Sequence, residues 1–528
     1  MADGPPGPGS QVRIRRAGTA RRVYSGGMEL DAQQCFDALR ARDRRFDGRF
    51  FVGVSSTGVY CRPICAVRTP RRENCHFFPS AAAADKAGFR PCLRCRPELA
   101  PGWGLPDIPG RLAQAAALLI EQGFLDHADT EQLAARVGVS ARHLRRLFRA
   151  EYGVSMLELA QTQRLLLAKQ CLAQTALPVS EVALACGFRS LRRFHAVLAQ
   201  RWGLSAQRIR RGAPAHGQAA LDLVLPYRPP LAWSAWLEQA RAQALPGVER
   251  VDGERYARTL RLPGPDGPCD GWLQARDDAS GCCLRIRASV SLAPAVSLLL
   301  ARLRRMFDLG ASPATVDARL GELARGQPGL RVPCAPDGFE TLVRALLRRE
   351  GAGASAVLAC FAQRFAPSPQ AGAFDGAPDG LHALFPCAED LAGADEAALL
   401  ACGMSLGGAR ALSGAATRVR DGRLDLQPWA PLEPTLRALQ ALAGMDQATP
   451  QWVAMQALGW PDAFPEHDPA LQRAAGCADA ASLLDRAQAW RPWRAYAAMH
   501  LARHAAAPAS PRAVAGGPAQ SSLQEIRS

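Results

Sequence analysis

Lysine is almost missing from this chain of 528 residues: Lys86 and Lys169 are the only two, so 62 of the 64 basic residues are arginine. With Gly and Pro also abundant, part of that arginine content reads as a composition bias rather than selection for phosphate contact. Also missing is any apolar run near the ~18 residues of a membrane span, which excludes a helical integral membrane protein. No apolar signal-peptide core follows the N-terminal arginines, so secretion is not expected and the expected location is cytoplasmic. In that reducing setting the 16 cysteines are expected as thiols or metal ligands, not as a disulfide framework. Acidic excess is absent from the first two-fifths. Residues 1–214 hold 33 basic and 17 acidic side chains, whereas residues 215–528 hold 31 of each. The whole net charge of +16 therefore sits at the front, the footprint expected of nucleic-acid binding.

Punctuation divides the chain. Residues 1–28 are Gly/Pro/Arg-rich and read as a disordered tail, with Met28 an alternative start to Met1. A Pro/Gly-dense stretch, Pro101 to Gly110, separates a cysteine-rich segment from a helical one, and Gly212 to Gly217 precedes the neutral part. The expected units are 29–100, 111–211, 220–332 and 333–505, with a second tail over 506–528.

Cys61-Arg-Pro-Ile-Cys65 and Cys92-Leu-Arg-Cys95 form two close pairs 26 residues apart. Tetrahedral zinc takes four soft ligands, and two short knuckles joined by a loop supply them. A plain zinc ribbon would use all four thiolates only to hold the fold. Zinc also keeps a bound sulfur deprotonated near neutral pH, which makes it a usable nucleophile. Spacing alone does not choose between these roles. Cys35 and Cys75 complete no pair and are expected as small core residues.

The residues Thr57 to Cys65, Arg72-Glu73-Asn74, Phe77-Phe78 and Gly88 to Cys95 resemble the N-terminal domain of adaptive-response (Ada) proteins over roughly 29–98. The resemblance implies one zinc on Cys61, Cys65, Cys92 and Cys95. It also implies that Cys61 irreversibly takes a methyl group from a DNA methylphosphotriester. Neutralising one thiolate beside a polyanion strengthens DNA binding electrostatically.

Residues 111–211 read as paired helix-turn-helix units. In the first, apolar residues recur through Leu133, Val137, Leu144 and Phe148, with Gly138 at the tight turn. The second repeats the plan, with Gly187 at the turn and Leu191, Phe194 and Leu198 on the buried face. Each second helix carries cations suited to base edges: Arg142, His143, Arg145 and Arg146 in one, Arg192 and Arg193 in the other. Solvated surface is the competing reading for about half of them. The double motif resembles an AraC-type transcription-factor domain, which implies two recognition helices in successive major-groove turns.

In the neutral remainder, short alternating runs over 220–290 predict a small antiparallel sheet, and helices dominate from Pro294. Leu439 to Trp460 and Pro461 to Asp468, with Met306-Phe-Asp-Leu, Asp337-Gly-Phe-Glu and Trp490-Arg-Pro-Trp, resemble 3-methyladenine DNA glycosylase II (AlkA). The resemblance implies a flipped alkylated purine in an aromatic cleft, Trp452 in the base pocket and Asp468 as the catalytic carboxylate. It also implies a hairpin at Gly444 whose amides face a DNA phosphate. The chain departs from that pattern at Asp446, Ala448, Ala502 and Arg348-Arg349-Glu350. Asp446 replaces a glycine, so an unfavourable φ and repulsion of phosphate are expected there.

The expected protein is multidomain and mainly α. It joins a small α+β zinc domain, an all-α paired helix-turn-helix domain, an α+β subdomain with an antiparallel sheet, and a helix-hairpin-helix glycosylase fold. Its expected work is excision of alkylated purines, coupled to methyl acceptance and transcription control on double-stranded DNA, with RNA polymerase a further partner. The alternative is a methylation-switched activator whose glycosylase domain is weak or inactive.

Overall fold

The computed structural model describes residues 22–25, 28–101, 111–210, 220–391 and 396–506. The expected C-terminal tail beyond 506 and most of the N-terminal one lie outside them. Within the latter, β1 (Arg22–Ser25) pairs antiparallel with β2 (Met28–Asp31), a hairpin where a tail was expected. Four residue pairs, from Arg22–Asp31 to Ser25–Met28, are thus in register, which local Gly and Arg content did not announce.

Asp31 then caps α1 (Ala32–Ala41), accepting the amides of Gln33 and Gln34. Strands β3 (Phe51–Val54), β4 (Val59–Cys61), β5 (Cys75–Phe78) and, after α2 (Ala81–Lys86), β6 (Arg90–Pro91) form a sheet in the order β5-β3-β4-β6. Its last pair is parallel, which sets Cys61 at the end of β4 beside Cys92 just after β6. Cys35 and Cys75 are buried in the small apolar core under α1, as expected.

The next segment is helical: α3 (Arg111–Glu121), α4 (Thr130–Arg136), α5 (Ala141–Tyr152), α6 (Met156–Gln174), α7 (Val179–Ala185), α8 (Leu191–Trp202) and α9 (Ala206–Arg210). Gly138 and Gly187 take φ of 78° and 80° at the two turns, a region L side chains avoid. Ser140 and Ser190 cap α5 and α8 through the amides of His143 and Arg193.

Strand β7 (Leu221–Pro226) opens a five-stranded antiparallel sheet, its side chains alternating buried and half-buried. After α10 (Trp233–Gln243) come β8 (Glu249–Asp252), β9 (Arg255–Gly264), β10 (Gly267–Asp278) and β11 (Cys283–Ala288), in the order β7-β11-β10-β9-β8. Helices follow: α11 (Val296–Met306), α12 (Pro313–Leu320), α13 (Glu322–Arg325), α14 (Gly338–Leu347), α15 (Ala354–Phe365), α16 (Glu396–Ala401), α17 (Leu406–Arg420), α18 (Leu432–Gln440), α19 (Thr449–Gln456), α20 (Pro469–Ala475), α21 (Ala480–Ala487) and α22 (Arg494–Ala506).

The cores do not follow the punctuation. One buried cluster runs from Leu165 through Cys186, Phe194 and Trp202 of the second helix-turn-helix unit into Leu223, Ile286 and Leu299 of the sheet subdomain. The paired helix-turn-helix segment and the sheet subdomain therefore share apolar burial, at roughly 25 cal/mol per Å², rather than hanging on a linker. Polar links reinforce the docking. Arg228, almost fully buried, donates to the carbonyl oxygens of Asp47 (3.0 Å) and Gly310 (2.7 Å). Arg136 pairs with Asp425 at 2.9 Å, and the Arg111 guanidinium lies 3.7 Å over the Trp460 ring. On the other side, Asp85 of α2 accepts from Trp202 Nε1 (2.8 Å) and Thr162 Oγ1 (3.2 Å).

Candidate functional site

Sequence pairs separated by 26 residues become one cluster because β4 and β6 run side by side. The sulfurs of Cys61, Cys65, Cys92 and Cys95 all lie within 4.8 Å of one another. A tetrahedral zinc with Zn–S of about 2.3 Å needs sulfur–sulfur edges of about 3.8 Å, so the four thiols fit the ion. The Arg62 amide donates to Cys95 Sγ at 3.3 Å, and the amides of Val67 and Cys95 favour the thiolates of Cys65 and Cys92. Cys95 is the half-buried sulfur of the four, and the other three are buried. Behind the cluster the buried Arg62 guanidinium is held by Asp47 through Nε (2.8 Å) and donates to the Cys95 carbonyl at 3.1 Å.

On the helix-turn-helix units, Arg142, Arg145, Arg146, Arg192 and Arg193 are exposed and His143 half-buried. Arg145 forms an ion pair with Glu131, and an Arg146 guanidinium nitrogen lies 3.3 Å from His143 Nδ1. Among the described residues Arg142, Arg192 and Arg193 form no ion pair, which leaves three cations free for an anionic partner.

The third constellation lies where α14, α19 and α20 meet. Asp468 stands at the start of α20, where Oδ1 accepts the amides of Ala470 (2.8 Å) and Leu471 (3.4 Å). Its Oδ2 accepts from the buried Trp452 indole Nε1 at 2.9 Å. Asp468 is 8% exposed and lines a cavity of about 380 Å³ between the sheet subdomain and the helical domain. The opposite wall is a buried ion network: Arg258 with Glu340 at 2.8 Å, and Arg344 with Glu249 (2.6 Å) and Glu340 (2.8 Å).

Arg348-Arg349-Glu350, read from sequence only as a departure, is the hub of this region. The Arg348 guanidinium lies 3.8 Å over the Trp452 ring and 3.7 Å from Asp468 Oδ2. Arg349 donates to the Gly444 carbonyl at 2.8 Å and lies 3.6 Å from Asp446 Oδ2. Glu350 Oε1 accepts the Ser405 amide at 3.1 Å. The expected strain at Asp446 is absent: its φ is not positive. Its carboxylate instead accepts the amides of Ala448 (2.9 Å) and Thr449 (2.8 Å) and the Thr449 hydroxyl (2.6 Å), tying down the start of α19. Nor is its charge uncompensated, because Arg349 accompanies it. Gly444 does need to be glycine, since at φ 81° a Cβ would meet the Gly407 carbonyl oxygen at 2.2 Å. The signal the sequence offered was a cation and an anion departing together, at 349 and 446. Ala448 and Ala502 are partly buried against the helical core, with no aromatic ring contributed from either position.

A zinc-thiolate domain, a paired helix-turn-helix domain and a two-part α+β and helical domain with a carboxylate-lined cleft thus share one chain, the class of modular DNA-acting proteins. Residues 34–98 match the metal-binding domain of Ada, residues 133–212 a helix-turn-helix domain, and residues 222–337 the AlkA N-terminal domain. The chain is 34% identical over 490 residues to the probable bifunctional transcriptional activator/DNA repair enzyme AlkA of Mycobacterium tuberculosis, covering 90% of this chain and 96% of that one. It belongs to that family. The DNA-3-methyladenine glycosylase 2 of Escherichia coli is 32% identical over 279 residues, 52% of this chain and 95% of its own. The bifunctional transcriptional activator/DNA repair enzyme Ada of Escherichia coli is 33% identical over 183 residues, 35% of this chain and 50% of its own. The four-cysteine cluster is accordingly a zinc site.

Proposed function

We propose that this chain repairs alkylated DNA in two ways and reports the damage to transcription. Its glycosylase half excises alkylated purines such as 3-methyladenine, and its front half accepts methyl groups from DNA methylphosphotriesters and binds operator DNA. The observation that carries the excision reading is Asp468: a buried carboxylate, oriented by two amides and an indole, opening onto a cavity large enough for a base. In the proposed reaction the C1′–N9 electron pair leaves with the purine, and Asp468 stabilises the cationic sugar that develops. Water then adds to C1′; its proton goes to solvent when a cationic purine has left as the neutral base, and to the purine when an uncharged one has left as an anion. Arg142, His143, Arg145, Arg146, Arg192 and Arg193 are assigned to the operator, and Gly444 to a backbone phosphate.

At the front, a zinc ion held by Cys61, Cys65, Cys92 and Cys95 would keep their sulfurs deprotonated. Cys61 Sγ attacks the methyl carbon, forming the S–CH3 bond while the C–O pair returns to the phosphate as a diester. One thiolate charge disappears, and affinity for the polyanion rises. Contact with RNA polymerase is the proposed route from binding to activation, and the cytoplasm, where thiols stay reduced, the proposed setting. A helix long and apolar enough to cross a membrane is absent among the described residues.

The experiment is base release from methylated duplex by the wild type and by Asp468→Asn. Wild-type release that falls roughly 100-fold or more in the variant supports the assignment. No release by the wild type favours the alternative, an activator with a purely structural C-terminal half.

A further inference from the structure

We propose that Gln456 reads the edge of the flipped base and makes the excision cleft prefer alkylated adenines to alkylated guanines. This rests on the Asp468 reading above and deepens it, by naming which purine the cleft takes. Gln456 lies in α19 four residues after Trp452, on the same helix face and about 5.4 Å further along the axis. That rise is on the scale of a purine's two fused rings. Trp452 holds Asp468 at the sugar end of the span, and Gln456 and Asp468 both line the cavity of about 380 Å³.

Most polar side chains of the cavity wall are already engaged. Arg258 and Arg344 are matched by Glu249 and Glu340. The Tyr256 hydroxyl donates to Glu249 at 2.6 Å, and the Thr341 hydroxyl to the Asp337 carbonyl at 2.9 Å. The Gln456 amide is half free. Its Nε2 donates to the Pro333 carbonyl oxygen at 3.0 Å. A carbonyl only accepts, so this bond fixes which end of the amide is nitrogen. One N–H and the whole of Oε1 remain without a partner among the described residues. Oε1 is not one of the occluded polar atoms that lack a bond. It is therefore open to the space that the half-buried side chain lines, which includes a smaller cavity of about 100 Å³ on its other side.

A neutral amide offering an acceptor beside a donor matches the adenine edge, where the exocyclic amine donates and N7 accepts; glutamine and asparagine read adenine in this way. 3-Methyladenine keeps both groups. 7-Methylguanine has a carbonyl oxygen in place of that amine, and its methyl group blocks N7. An acceptor set against an acceptor leaves both unpaired, and sites built to hydrogen-bond one partner discriminate most strongly on that ground. Both purines are cationic in the duplex, so the distinction is one of edge and not of charge.

The test uses duplex treated with dimethyl sulfate, which carries both lesions, and follows each free base released by the full chain relative to its spontaneous loss. The wild type is expected to favour 3-methyladenine. Gln456→Met keeps the length of the side chain and removes both polar groups. It should lower the ratio of 3-methyladenine to 7-methylguanine release roughly ten-fold, the scale on which one amide–adenine pair discriminates bases. Gln456→Leu reads the same ratio should the methionine variant not fold. Loss of the Pro333 bond alone would slow both lesions equally, so an unmoved ratio, or an equal fall in both rates, overturns the proposal. Asp468→Asn in the same assay separates the two claims. Undiminished release in that variant, or none by the wild type, overturns the excision site and this inference with it. Lost release in Asp468→Asn beside an unmoved Gln456→Met ratio overturns the role of Gln456 alone.

Discussion

Trp452 Nε1 donates to Asp468 Oδ2 at 2.9 Å across 16 residues, joining helix α19 to the start of α20. The buried Trp452 ring thereby aims the carboxylate that lines the cleft. Trp452→Phe keeps an aromatic ring but removes the donor and leaves a small void. It is expected to lower stability by about 1–3 kcal/mol, the range for a buried polar atom left unsatisfied. Base release should fall as well, because Asp468 loses one of its three donors. Denaturant unfolding and a release assay on the same protein check both effects.

Asp446 works as a helix-start acceptor rather than as a strained glycine substitute. Asp446→Ala should therefore cost about 1 kcal/mol, and Asp446→Asn less, since asparagine caps about as well as aspartate. Chemical denaturation of the two variants measures the difference. Equal losses would mean that charge pairing with Arg349, not capping, is what Asp446 supplies.

Lys169, one of the two lysines, is buried in α6 with its Nζ 2.5 Å from Glu98 Oε2, immediately after the zinc cluster. Breaking a buried pair from one side costs about 3–5 kcal/mol, with the lower end expected here because Glu98 Oε1 keeps Arg96 Nε at 3.0 Å. Lys169→Met should be destabilising by that amount, and Lys169→Met with Glu98→Gln clearly less. Thermal melting of the two proteins decides. Because the pair ties the zinc domain to the DNA reader, the single variant should also weaken the gain in operator affinity that follows methylation.

Much of this was legible in one sequence because the relevant signals are local. The alternation over Leu221 to Pro226 survives as alternating burial, and Gly138 and Gly187 mark turns that need positive φ. The paired cysteines announce their cluster by spacing. What was hidden depends on partners roughly a hundred residues away. Arg349 and Asp446 each look like damage to a motif until the fold sets them 3.6 Å apart. Arg348 looked like another departure from the pattern and turns out to cover Trp452. The core shared by the second helix-turn-helix unit and the sheet was concealed by the Pro/Gly-rich stretch between them, which reads as a boundary whether or not two units pack together.

The most direct test of the central claim, that one chain both accepts methyl groups and excises bases, is a single incubation with DNA carrying labelled methyl groups. Label is followed on the protein and as free purine. The account predicts protein label that saturates at one methyl per chain on Cys61 and vanishes in Cys61→Ala. Free methylpurine should meanwhile keep accumulating through repeated turnovers. Methyl on another cysteine, or saturation of the protein with no free methylpurine, would contradict it.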